Sequence, residues 1–186
     1  LENVNAVFLG QDDALHAGQE AVLSAARDCL RLLEGSPLQG RFLFLFASVS
    51  SLLQAPEGMW SSLEGLGCRT YVNVGLESPH QESLDILGKP ESASRVREAF
   101  SRMLRINERY PEVEVTANFI CDPDLPAGHW SELERLLKEV RQRPASKGAV
   151  YLSPRGERGR RAHMRYFQPL KRRSRLPLYL YLIQGL

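Results

Sequence analysis

The chain has 186 residues, of which 43% are hydrophobic and 25% are charged, and its net charge is +2. These values are typical of a soluble globular domain and exclude a fibre or a disordered tail. The longest apolar runs, at 42–47 and 176–183, are far shorter than the ~20 residues of a membrane-spanning helix. We therefore expect no membrane partner and a cytoplasmic location.

The three cysteines, Cys29, Cys68 and Cys121, are far apart in the sequence, and their odd number argues against a disulfide framework. The closely spaced cysteine pairs that a zinc or iron–sulfur site needs do not occur. We expect a reducing compartment, buried thiols and no metal ligands in this chain. The chain opens at Leu1 without an initiator methionine or a signal peptide, which predicts a fragment of a longer protein.

The first half of the chain alternates apolar runs with segments of helical periodicity. Short apolar runs predict strands at 5–9, 41–47 and 69–78. Apolar residues at helical spacing predict a helix at 19–33 and a shorter one at 59–66. The run at 41–47 is apolar at every position, which predicts a parallel strand covered by helices on both faces.

The same alternation continues in the second half. Helices are predicted at 92–107 and 130–142, and strands at 112–120 and 148–152. Residues 178–183 are either a sixth strand or a buried extension.

A strongly basic stretch runs from 155 to 175 and holds nine Lys or Arg residues against one Glu. Such a stretch either contacts the phosphates of a nucleic acid or forms a solvated basic loop. The predicted organisation is a core at 1–154 followed by a basic loop and C-terminal extension at 155–186.

The repeated order of strand and helix predicts an α/β fold with a parallel sheet made of right-handed βαβ units. A closed eight-stranded barrel typically needs ~250 residues. The 186 residues of this chain therefore predict a partial (βα) barrel.

Polar side chains follow the carboxyl end of each predicted strand, where parallel α/β folds bind their ligands. They form five groups: Gln11, Asp12 and Asp13; Ser48 and Ser50; Glu77 and Ser78; Asp122; and Ser153 and Arg155. This placement predicts a site at one edge of the sheet. It does not identify the ligand, because loops are polar in most proteins.

Two motifs resemble those of the radical S-adenosylmethionine (SAM) enzymes. One is Gly75-Leu-Glu-Ser78, followed by Leu84 and Lys89 in the pattern Leu-x-x-x-x-Lys. The other, Phe8-Leu-Gly-Gln-Asp-Asp-Ala-Leu15, is similar to the second-strand motif Gly-Asp-Gly-Asp-Ala-Leu of that family. The resemblance implies a partial barrel that lacks its first βα unit.

The resemblance also implies a SAM pocket built from several strands. Gln11, Asp12 and Asp13 would hold the amino group of the methionine moiety, with either aspartate as the acid of the family. Glu77 and Asn118 would contact the ribose. The alternatives are a solvated turn at the aspartates and a backbone partner for Asn118.

Three further residues are candidates for the same pocket. The resemblance places Ser48 near the methionine carboxylate, and Arg155 is a basic candidate for that carboxylate or for the substrate. Tyr151 would pack against the adenine, with a place in the core as the alternative. The sequence departs from the family at Asp122, where a glycine is usual, so the adenine side of the pocket is the least defined.

The chemistry implied by the resemblance needs groups that this chain lacks. In the family, a Cys-x-x-x-Cys-x-x-Cys loop holds a [4Fe-4S] cluster, and an electron donor reduces it so that SAM yields a 5′-deoxyadenosyl radical, which abstracts hydrogen from a substrate. No such triplet occurs in this sequence. We expect the cluster to be bound upstream in the intact protein, and this fragment to be inactive, without catalytic residues of its own; the substrate is unknown.

Two other functions compete with this one. The chain could be an RNA-binding module in which 155–175 contacts phosphates while Tyr166 and Phe167 stack on bases. It could also be a degenerate barrel that never carried a cluster and serves as a scaffold.

Overall fold

A computed structural model describes residues 4–34, 40–140, 147–155 and 160–181. Within these ranges the protein is an α/β fold whose single sheet has six strands, all parallel, which confirms the predicted class. The strands lie in the sheet in their chain order. They are β1 (Ala6–Leu9), β2 (Phe42–Ser48), β3 (Arg69–Glu77), β4 (Val113–Cys121), β5 (Val150–Pro154) and β6 (Leu178–Leu180).

Seven α-helices occur in the described ranges, and at least one follows each of the first five strands. They are α1 (Gln19–Leu32), α2 (Val49–Gln54), α3 (Glu57–Glu64), α4 (Gln81–Ile86), α5 (Ala93–Arg109), α6 (Ala127–Lys138) and α7 (Arg160–Arg173). None of these helices has the length and apolar composition needed to span a bilayer.

The two faces of the sheet differ in burial. One face is aliphatic and fully buried: Leu45, Val72 and Val115 are at most 1% exposed and lie side by side in register. The alternate positions, such as Phe44 and Tyr71, point to the opposite face and are half-buried. We call this second side the open face.

The prediction that β2 is covered on both faces is therefore wrong. Its odd-numbered residues are buried, whereas Phe42, Phe44 and Phe46 on the open face are only partly buried. The run is apolar throughout because these phenylalanines pack against other rings, as in the stack of Phe44 on Phe8 at 4.8 Å.

The basic stretch is more ordered than the predicted loop. It contains α7, which packs on the protein through the buried residues His163, Phe167 and Leu170. These are four and three residues apart, which is helical spacing that the surrounding charges obscure in the sequence. After it, β6 pairs with β5, so the sixth strand is present and the buried-extension alternative is excluded for Leu178–Leu180.

Candidate functional site

A cavity of about 490 Å³ opens at the carboxyl ends of β1 to β4. It is lined by six of the eight residues that the sequence predicted for a SAM pocket: Gln11, Asp12, Asp13, Ser48, Glu77 and Asn118. Another, Tyr151, lines a neighbouring cavity of about 400 Å³ on the open face. We call the first the edge cavity and the second the aromatic cavity.

Asp13 brings a buried carboxylate to the edge cavity. It lies just before a single 3-10 turn, Ala14–Ala17, and its Oδ1 atom is buried with no hydrogen-bond partner among the described residues. Burial raises the pKa of Asp13, but the nearby donor groups of Ser48 and Ser51 lower it by more, so the net pKa lies below its ordinary value. Asp13 is thus an ionised acceptor whose Oδ1 atom has no hydrogen-bond partner among the described residues.

Gln11 and Asp12 are exposed at the rim of the edge cavity. They follow Gly10, whose φ of 78° lies in the left-handed region that suits glycine. This turn directs the three polar residues after β1 towards the same opening.

Ser48 has a structural task in this conformation. It caps α2: its Oγ accepts the Ser51 N–H at 3.0 Å, while Ser51 Oγ accepts the Ser48 N–H at 3.0 Å. This reciprocal arrangement satisfies two donors at the start of the helix. Ser48 therefore shapes the wall of the edge cavity through the turn that it fixes.

Glu77 is held in an unusual backbone conformation at the end of β3. Its φ is 61°, a left-handed value that is uncommon for a residue other than glycine, and the pairing with β4 shifts register between Gly75 and Glu77. A Cβ atom at position 75 would lie 3.2 Å from Glu77 Oε1, so the glycine gives the carboxylate room. The same oxygen is 3.1 Å from Lys89 Nζ. Residues held in such conformations cluster at functional sites.

A buried hydrogen-bond chain supports the turn that follows Glu77. Ser78 Oγ lies 2.8 Å from His129 Nδ1, and His129 Nε2 lies 3.0 Å from the Ile120 carbonyl. Because a carbonyl can only accept, Nε2 carries the proton and Nδ1 accepts from the serine hydroxyl. Ser78 Oγ also accepts the His80 N–H at 3.1 Å. The sequence analysis missed His129, which no motif marks.

Asn118 lies on the open face between the two cavities and lines both. It stands opposite Gly75 on one side and Tyr151 on the other. Its Oδ1 accepts a hydrogen bond from Ser153 Oγ at 2.7 Å, which leaves the amide nitrogen without a partner among the described residues. The predicted backbone partner for Asn118 is not what the structure shows.

The edge cavity is acidic. Its described lining includes four carboxylates, those of Asp12, Asp13, Glu77 and Glu91, and one ammonium group, that of Lys89. Glu91 was not predicted from the sequence; its Oε1 accepts from Ser50 at 2.7 Å and its Oε2 from Arg95 at 3.0 Å. The excess of negative charge favours a ligand that carries positive charge.

The remaining candidates lie elsewhere. Arg155 is exposed and lines neither cavity, although it follows β5 at the same edge. Two of the three thiols are buried as predicted: burial raises the pKa of Cys121 to about 12 and also raises the pKa of Cys68. The prediction is wrong for Cys29, which is only partly buried. Among the described residues, no group of His, Cys, Asp and Glu side chains is arranged to hold a metal ion.

The aromatic cavity lies on the open face beside the edge cavity. Rings line it from both sides, Phe44 and Tyr71 on β2 and β3 and Tyr151 on β5, with Thr116 and Asn118 of β4 between them. None of its described lining residues carries a charge.

No protein-family model matches this chain, and no curated protein matches it in sequence. The class defined by the fold and the site is an all-parallel α/β protein with an acidic cavity at the carboxyl edge of its sheet. A function for it has to be inferred from its residues and their geometry.

Proposed function

We propose that this chain is the SAM-binding part of a radical SAM enzyme, folded as a segment of a (βα) barrel. A segment of such a barrel has parallel strands in chain order with one buried face, and the six strands of this sheet have that arrangement. The observation that carries the proposal is the edge cavity, where residues of three separate motifs meet: Asp13, Glu77 and Asn118.

The charge of the edge cavity supports a ligand of this kind. SAM carries a sulfonium and an ammonium group against one carboxylate, so its net charge is positive and suits a cavity with four carboxylates and one lysine. The carboxylate of Asp13, whose Oδ1 has no partner among the described residues, is a suitable acceptor for the ammonium group.

The ribose would lie deeper, between β3 and β4. Its two hydroxyls are donors and acceptors, and they suit the carboxylate of Glu77 and the free amide nitrogen of Asn118. Lys89 holds the Glu77 carboxylate over Gly75. A volume of about 490 Å³ is in the usual range for a site that takes a small organic ligand.

The [4Fe-4S] cluster of the family does not fit the cysteines of this chain. Cys29, Cys68 and Cys121 lie on three different elements or loops, and two of them are buried thiols with raised pKa values. When bound beside such a cluster, SAM supplies the 5′-deoxyadenosyl radical in this family. The radical part of the proposal is tested by reading the coding sequence immediately upstream. A Cys-x-x-x-Cys-x-x-Cys triplet is expected there, and its absence would favour the scaffold alternative.

Replacing Glu77 with alanine is expected to weaken SAM binding by roughly 10- to 100-fold, because a hydrogen bond to a charged group contributes about 1.5–3 kcal/mol. The measurement is a calorimetric titration of the intact protein. S-adenosylhomocysteine, which lacks the sulfonium charge, is expected to bind more weakly than SAM to the unsubstituted protein.

The matched control is Glu112→Ala, since Glu112 also forms an ion pair, with Arg69 at 3.8 Å, but at the opposite end of the sheet. It is expected to leave SAM affinity unchanged. Absence of SAM binding in the unsubstituted protein, or equal affinities for all three proteins, would remove the proposal.

A second candidate function, contact with RNA, is favoured by α7. Arg161, Arg165 and Arg172 are exposed and are four and seven residues apart, which places them on one side of the helix. None of these three arginines forms an ion pair with an acidic side chain among the described residues. Burial argues against Phe167 as a residue that stacks on bases, because it is 7% exposed and packs in the core. Tyr166 is partly exposed and has one face stacked on Trp130 at 4.1 Å.

The double substitution Arg161→Gln with Arg165→Gln is expected to reduce the slope of log affinity against log salt by about 2, because each lost phosphate contact removes about one unit. Binding of a short duplex RNA is measured between low and physiological salt. The control, Arg27→Gln with Arg105→Gln, removes the same charge from exposed positions on α1 and α5. Equal slopes for the two variants would exclude α7 as the RNA surface.

A further inference from the structure

We infer that the aromatic cavity binds the substrate and that this substrate is an uncharged, flat aromatic or heteroaromatic molecule with a hydrogen-bonding edge. This inference rests on the proposed function, since it assigns the substrate of the same site. It adds a second site, on the open face, to the edge cavity.

The rings of this face form one continuous surface. Phe8, Phe44 and Tyr71 lie opposite one another on three neighbouring strands, with Phe44 stacked on Phe8 at 4.8 Å and on Tyr71 at 5.1 Å, nearly parallel to each. Phe8 is 65% exposed. Stacking covers both faces of Phe44, whereas Tyr71 has no ring stacked on its side towards β4 among the described residues. A flat ligand placed against that side of Tyr71 gains offset stacking in addition to the burial of apolar area.

A second group of rings faces the first across β4. Tyr151 is stacked on Tyr179 at 5.7 Å, and Tyr181 follows at the mouth of the cavity. The floor between the two groups is made of small polar side chains, including Thr116 and Asn118. A floor without bulky side chains between two ring-lined walls is a slot whose shape suits a flat molecule.

The polar groups of the floor indicate which hydrogen-bonding groups the ligand carries on its edge. Asn73 Nδ2 donates to Thr116 Oγ1 at 2.9 Å, and Ser153 donates to Asn118 as described. Each asparagine therefore keeps one amide atom without a partner among the described residues: an acceptor oxygen on Asn73, and on Asn118 a nitrogen whose two N–H groups allow one contact to the ribose and one to this ligand. An N–H beside a C=O in a heteroaromatic ring matches such a pair.

Charge excludes the other common classes of ligand. The described lining residues of this cavity carry no charge, and burial raises the pKa of the Tyr151 phenol, so that it stays neutral. A carboxylate, phosphate or ammonium group would lose its hydration there without an ionic partner. The acidic edge cavity next to it takes the charged ligand, and the two share Phe46, Asn73 and Asn118.

The test uses three small molecules in saturation-transfer NMR and calorimetry: carbostyril, which is flat, neutral and has adjacent N–H and C=O groups; kynurenate, which is flat and anionic; and caprolactam, a saturated lactam. Carbostyril alone is expected to bind measurably. Phe44→Leu is expected to weaken its binding about tenfold through the lost ring contacts, and Tyr151→Leu by a similar factor.

The matched control is Phe42→Leu, on the same strand and the same face but outside the cavity. It is expected to change carbostyril affinity less than twofold, and both Phe42→Leu and Phe44→Leu are expected to keep their SAM affinity. Equal binding of the three molecules, equal weakening by Phe42→Leu and Phe44→Leu, or competition between carbostyril and SAM would overturn the inference. Carbostyril binding without any SAM binding would instead overturn the proposed function and leave this cavity in place.

Discussion

Replacing His129 with glutamine is expected to remove most of the loss of stability that this protein suffers between pH 6.5 and pH 5. His129 is 0% exposed, and burial lowers its pKa from 6.5 to about 4, with a smaller contribution from His80. The hydrogen bond to the Ile120 carbonyl and the charge of Asp122 act in the opposite direction but do not compensate.

The sign follows from the proton balance. Between pH 6.5 and pH 4 the unfolded chain binds a proton at this histidine that the folded protein does not, so stability falls as the pH falls. Over the 1.5 pH units above pH 5 the loss is about 2 kcal/mol, at roughly 1.4 kcal/mol per unit. Glutamine cannot titrate, but its amide can accept from Ser78 and donate to Ile120.

Urea unfolding at a series of pH values measures the effect. His129→Leu separates titration from hydrogen bonding: it also removes the pH dependence, but it takes away the acceptor for the Ser78 hydroxyl and the donor for the Ile120 carbonyl. It is expected to cost about 2–5 kcal/mol at every pH. A pH dependence in His129→Gln as steep as in the unsubstituted protein would show that another group titrates in this range.

This histidine also links stability to the site. Through Ser78 it fixes the turn that keeps Glu77 at a φ of 61°. A weakened anchor lets the backbone relax towards the commoner negative φ, which turns the carboxylate away from the edge cavity. SAM affinity is therefore expected to decrease in His129→Leu by more than in His129→Gln.

The fold could be predicted from the sequence where burial alone decides it. The apolar runs of β1 to β5 and the long amphipathic helices α1 and α5 lie close to their predicted positions, because a strand or helix with a buried face carries its periodicity in the sequence. Helices α2 and α4 were missed because six residues are too short to show a helical period. Helix α7 was missed because six of its residues are Lys or Arg and hide its three buried contacts.

The site was predictable where a residue directly follows a strand. Asp13, Glu77 and Asn118 belong to this class, and a parallel sheet brings such residues to one edge. Glu91 lies on a loop and His129 on a helix, and the fold brings both elements next to the site. No sequence motif or hydrophobic periodicity identifies either residue. The aromatic cavity was hidden for another reason: Phe44 and Tyr71 look like core residues in the sequence. They line an open cavity because no helix among the described elements covers their face.

Replacing Asn107 with leucine is expected to destabilise the protein by about 2–5 kcal/mol, because it leaves two buried backbone groups unpaired at about 1–3 kcal/mol each. Asn107 lies on α5 and is 3% exposed. Its Nδ2 donates to the Val115 carbonyl at 2.7 Å, and its Oδ1 accepts the Val115 N–H at 2.7 Å.

The Asn107 side chain is needed because β5 is too short to pair with β4 at Val115. Two residues after Val115, the Ala117 N–H donates to the Ala149 carbonyl at 3.0 Å, so this side of β4 pairs with the chain that leads into β5. Val115 faces the same side before that pairing begins, and Asn107 supplies the missing donor and acceptor. Ser101→Leu on the exposed side of α5 is the control and is expected to stay within about 0.5 kcal/mol of the unsubstituted protein. If the denaturant midpoints of the two variants coincide, the Asn107 hydrogen bonds do not substitute for a strand. If only the midpoint of Asn107→Leu decreases, β4 depends on this one side chain to complete its hydrogen-bond ladder next to Asn118 and the site.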